Sequence, residues 1–71
     1  MDNHDKKLLQ QFGGRIKKFR KEQNTTQEEL ADKATIERSY MGTIERGERN
    51  PTLLKVYKIA KALGISLKDL I

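Results

Sequence analysis

Residues 26–47 read TQEELADKATIERSYMGTIERG, and two helices with a short break between them are written in these letters. Thr26 precedes the run and Glu29 stands three residues later, the reciprocal pairing of a capping box, so a helix is predicted from Gln27 to about Ala34. Thr35-Ile36 interrupts it. Met41 and Ile44 then give a second helix that ends at Gly47, a residue type that tolerates the left-handed conformation of helix ends. On a wheel of about 100° per residue with Arg38 at zero, Gly42, Arg46, Ser39 and Thr43 fall at roughly 40°, 80°, 100° and 140°. Tyr40, Ile44 and Met41 fall at roughly 200°, 240° and 300°, so they anchor the helix from the opposite side, with Tyr40 at its edge.

Outward from this stretch, helix signals continue and strand signals are absent. Leu9, Phe12, Ile16 and Phe19 recur at spacings of three and four, which predicts a first helix from about Asp5 to Gln23, closed by Asn24. Gly13-Gly14 weakens that helix by roughly 1 kcal/mol per glycine. Pro51-Thr52 opens a further helix with the apolar stripe Leu53, Val56, Ile59, Ala60 and Leu63, stopped by Gly64. Ser66 caps a last short turn in SLKDL, with Asp69 at the box position. With no repeat, linker or low-complexity tract, residues 1–71 read as one all-α domain of five helices.

Seventy-one residues are too few to enclose a catalytic cavity beside a core. There is no cysteine, and the only histidine, His4, has no second ligand near it, so neither a disulfide framework nor a metal site is expected. No nucleophile–base pair, phosphate loop, cofactor motif or small-molecule site is visible, which argues against an enzyme. The N-terminus MDNHDKK lacks the apolar run of a signal peptide and no stretch is long enough to span a bilayer, so a cytoplasmic protein is expected. The net charge of +5 favours an anionic partner. The charge is uneven: residues 26–50 carry four Lys/Arg against six acids, so the suspected functional segment is itself slightly acidic. Lys6, Lys7, Lys17, Lys18, Lys58 and Lys61 read as solvated faces that give diffuse attraction only.

The face of the second central helix joins a long cation, small hydroxyls and a glycine, a composition suited to lying deep in a DNA groove. Any amphipathic surface helix has a polar face. The helix before it adds the discriminating feature, because a helix of about eight residues, a turn of about three and a helix of about ten form the helix-turn-helix arrangement. TQEELADKATIERSYMGTIERGERNPT, followed by LLKVYKIAKALGISLKDL, resembles the DNA-binding domain of the phage repressor and Cro family, also called XRE-type. The likeness runs from about Arg15 to Leu70, and R-S-Y followed by I-E-R-G-E-R-N is most similar to the small controller proteins of restriction–modification systems.

The resemblance implies a lambda-repressor-like fold and double-stranded DNA as partner. It implies base reading by Arg38, Ser39 and Thr43, with Gly42 leaving that surface bare. It implies phosphate contacts from Gln27, Tyr40, Arg46, Arg49 and Asn50, and a buried ion pair of Arg20 with Glu45 that braces the reading helix. Plainer alternatives stand beside these roles: Gln27 as an exposed first-turn residue, Tyr40 as core, Arg49 as a solvated loop charge, and Glu45 paired within its own helix. Three positions depart from the family pattern. Thr35 stands where glycine is frequent in the turn, Glu37 where a small cap is common, and Thr25 where an aliphatic is usual.

One reading helix covers too few base pairs to define a unique site in a genome, so a twofold homodimer on a palindrome is expected. Leu54, Leu70 and Ile71 are the candidate interface, with closure of the monomer's own core as the alternative for Leu70 and Ile71. A protein-interaction module of the same fold, antitoxin-like or coactivator-like, is the competing function. It would bind a protein partner without DNA affinity.

Overall fold

Helix α1 runs from Asn3 to Glu22 in the computed structural model, which describes residues 2–71. It begins ahead of the expected Asp5 because Asp2 serves as N-cap, its Oδ1 accepting from the Asp5 N–H at 2.9 Å. Asn24 turns the chain out of the helix at φ 54°. Helix α2 spans Gln27–Ala34 and carries the capping box: Thr26 Oγ1 accepts from the Glu29 N–H at 3.1 Å, and Glu29 Oε1 accepts from the Thr26 N–H at 2.9 Å. The Thr26 N–H, and after it the Thr26 hydroxyl, holds the Glu29 carboxyl below the usual carboxylate range.

Thr35 ends α2 at φ 58° and ψ 46°, a left-handed conformation that a β-branched residue seldom adopts. Helix α3 spans Arg38–Glu45, and α4 spans Leu53–Leu63 behind the Thr52 cap. The Gln23 side chain then ties the end of α1 to the end of α4, its Nε2 donating to the Leu63 carbonyl at 2.7 Å.

The expectation of five helices is corrected to four α-helices among the described residues. The last element is a single 3₁₀ turn, Leu67–Asp69. The Ser66–Asp69 box stabilises only that turn, and Leu70 then drops into the core, so the chain leaves the helical path after two i→i+3 bonds, from the Asp69 N–H to the Ser66 carbonyl and from the Leu70 N–H to the Leu67 carbonyl.

Ile16, Leu30, Met41, Ile44, Ile59 and Leu70 are the largest fully buried side chains, so every α-helix and the C-terminal turn contribute to one core. Two glycines set how closely the elements pack. At Gly13 a Cβ would collide with the Ile44 carbonyl oxygen and stand 2.6 Å from that of Glu45, so only glycine lets α1 cross the end of α3 at this spacing. Gly47, at φ 75°, lies against the backbone of Gln10 and turns the chain away from α3.

Candidate nucleic-acid interface

The position of α3 is fixed from beneath by one carboxylate. Glu45 is buried and accepts from Arg20 Nε at 2.7 Å, from Arg20 Nη2 at 3.0 Å and from Gln27 Nε2 at 3.0 Å. Arg20, also buried, sends Nη1 to the Thr25 carbonyl at 2.9 Å. Burying two charges costs several kcal/mol per ion unless the pair is fully hydrogen-bonded, and the bidentate contact with its added donors meets that condition. Among the described residues no buried side-chain nitrogen or oxygen lacks a partner. One network therefore ties α1, the start of α2 and the end of α3 together. Met41 and Ile44 complete the anchorage from the core.

The outer face is what this anchorage leaves free. Arg38 is exposed and takes part in no side-chain hydrogen bond or ion pair among the described residues, so its guanidinium is available. Ser39 is exposed, and its hydroxyl donates to Glu37 Oε1. Thr43 is half-buried and donates to the Tyr40 carbonyl at 2.6 Å. Both hydroxyls spend their hydrogen locally and keep acceptor capacity outward. Gly42, expected on a bare surface, is instead buried. A Cβ there would stand 3.2 Å from Arg46 Nη1 and 3.5 Å from Gln27 Oε1, so two side chains lie across it.

The residues expected at phosphates divide into groups. Gln27 commits one amide hydrogen to Glu45 and retains the second. Arg46 pairs with Glu48 at 3.1 Å in an exposed contact that contributes little to stability. Tyr40 is half-buried, with the Arg49 guanidinium 6.0 Å and the Lys55 ammonium 4.1 Å from its ring centroid. Asn50 is exposed and lines a groove between α1 and α4, so the structure does not gather it with the Tyr40 cluster. Sequence reasoning passed over Lys55. Its signal was a cation in the first turn of α4, where the helix dipole disfavours positive charge.

Of the residues expected at an interface, Leu54 and Ile71 are exposed at 62% and 74%. Leu70 is corrected: it is fully buried in the protomer's own core because the 3₁₀ turn directs it inward, and it offers no surface to a partner. Among the described residues the other large exposed apolar side chains are Leu8, Leu53 and Tyr57. Leu8, Leu53 and Ile71 rim the α1–α4 groove, whose volume is about 410 Å³, over a floor that includes Phe12 and Val56. No group of three or more potential metal ligands forms among the described residues, and no helix is long and apolar enough to cross a membrane.

Comparison with known proteins matches this arrangement to others. A helix-turn-helix family model covers residues 16–70. The control protein C.BamHI from Bacillus amyloliquefaciens is 43% identical over 61 residues, spanning 84% of this chain and 75% of that protein. The crystal structure of the restriction-modification controller protein C.AhdI from Aeromonas hydrophila superposes with a TM-score of 0.87 at 40% identity, over 89% of this chain and 96% of that one. A structure of SinR, the master regulator for biofilm formation, in complex with DNA gives a TM-score of 0.79 at 38% identity, over 83% of this chain and 95% of that one; a SinR is known from Bacillus subtilis.

Proposed function

The chain belongs to this helix-turn-helix family, and from that premise we propose that it is a transcriptional regulator that binds double-stranded DNA sequence-specifically, as a homodimer on a palindromic operator. The observation that carries the reading is the free Arg38 guanidinium on a helix whose underside is locked by the Glu45 network. A side chain that is to discriminate between bases must be held in register, and the buried network supplies that rigidity. Arg38 reads guanine O6 and N7, with Ser39 and Thr43 lining the same face. Gln27, Tyr40, Arg46, Arg49 and Asn50 contact phosphates, and Lys55 joins them beside Tyr40.

The second protomer docks through the α4 and C-terminal surface. The large exposed apolar side chains Leu53, Leu54, Tyr57 and Ile71 lie on α4 and the C-terminus, with Leu8 facing Leu53 and Ile71 across the groove. None belongs to α2 or α3, so dimerisation leaves the reading helix free. Burying each such side chain contributes roughly 1.5–3 kcal/mol before association costs. The likeness to C.BamHI and C.AhdI supports control of a restriction–modification operon as the cellular task, carried out in the cytoplasm by residues 1–71 as one domain.

Binding-site selection from random duplexes tests the proposal. A palindrome with half-sites about one helical turn apart is expected. A protein-interaction module would enrich no motif.

A further inference from the structure

Glu37 is an acidic residue at the leading edge of α3 that the bracing network leaves unused. It occupies the N-cap position with φ −62° and ψ 139°, yet its side chain makes no capping bond to the helix. It is exposed and forms no salt bridge with the adjacent Arg38. Its carboxylate instead accepts from the Ser39 hydroxyl through Oε1, which holds it on the outer face and leaves Oε2 open.

A carboxylate that neither caps its helix nor neutralises a cation is a liability on a surface that meets phosphates. Its use lies in what it can accept. In the major groove a group that only accepts has two targets, the N4 amine of cytosine and the N6 amine of adenine. Adenine carries the N7 lone pair beside N6, which repels a carboxylate, whereas cytosine carries only a C5 hydrogen beside N4. The geometry points to Glu37 as a specificity-determining residue that accepts a hydrogen bond from a cytosine N4 amine through Oε2, with Ser39 fixing the other oxygen. This inference rests on the DNA-reading function proposed above. Guanine O6 and thymine O4 are both acceptors, so the carboxylate rejects them as well as selecting cytosine. Arg38 has the opposite preference. The two neighbours together require at least one G·C pair in each half-site.

The test is duplex selection with wild type, E37A and E37Q, followed by titration of a wild-type-selected duplex in which the cytosine is replaced by 2-pyrimidinone, which lacks the N4 amine. Wild type should enrich cytosine at one position per half-site and bind the 2-pyrimidinone duplex about tenfold more weakly. E37A should bind the two duplexes within roughly twofold of each other while keeping the guanine read by Arg38, and E37Q should move the preference towards adenine. Thermal melts of E37A matching wild type would assign these changes to recognition. If E37A enriches the same cytosine and binds every duplex more tightly by one common factor, Glu37 only repels phosphate and the inference is overturned. If wild type enriches no motif, the DNA-reading function itself fails and the inference with it.

Discussion

Glu45 receives hydrogen bonds from two other elements, and removing it would strand the buried guanidinium of Arg20. Glu45→Ala should therefore destabilise the fold by about 3–5 kcal/mol, a large share of the stability of a domain this small. Thermal or urea melts check this, and a loss below about 1 kcal/mol would contradict the bracing role. The exposed arginines differ in what they should contact. Arg38→Ala should cost about 1–3 kcal/mol on the preferred duplex and relax preference at one base pair. Arg49→Ala should weaken all duplexes alike and reduce the salt slope by about one unit. Titrations at several salt concentrations on selected and scrambled duplexes separate the two, and identical behaviour would remove the distinction between reading and gripping.

The helices show where sequence is transparent and where it is not. The Thr26–Glu29 box and the α2 and α4 boundaries follow from bonds between residues three apart, so local letters suffice to place them. Gly13 looked like a local weakness because its cost is local while its benefit comes from Ile44 and Glu45, which belong to another helix. Gly13→Ala should thus destabilise by at least the about 1–3 kcal/mol typical of overpacking, whereas Gly14→Ala, with nothing within 4 Å of its Cβ position, should stabilise by roughly 1 kcal/mol. Paired melts decide it, and equal effects would show that α1 and α3 do not cross closely. Thr35 was legible as a departure, and its left-handed conformation is the physical form of that departure. A left-handed L-residue costs about 1–2 kcal/mol, part of which the entropy of unfolded glycine cancels, so Thr35→Gly should stabilise by up to about 1 kcal/mol. A lowered melting temperature would contradict this.

At the scale of the whole molecule, the outer face of α3 proposed to read bases and the apolar surface on α4 and the C-terminus belong to different elements, so the proposed dimer would leave both copies of α3 free. Leu70 and Ile71 were indistinguishable in sequence, since two terminal apolar residues fit a core and an interface equally well. The 3₁₀ turn separates them, sending Leu70 inward and leaving Ile71 exposed. Tyr40 and Lys55 were likewise unreadable as neighbours, because fourteen residues, a loop among them, lie between them in the chain. The central claim, that two copies of α3 read one palindrome, is tested most directly by sedimentation of the protein with its selected duplex and with a duplex in which one half-site is scrambled. The account predicts two protomers on the intact duplex and binding weaker by at least about 100-fold on the scrambled one. One protomer per intact duplex, or equal affinity for both duplexes, would contradict it.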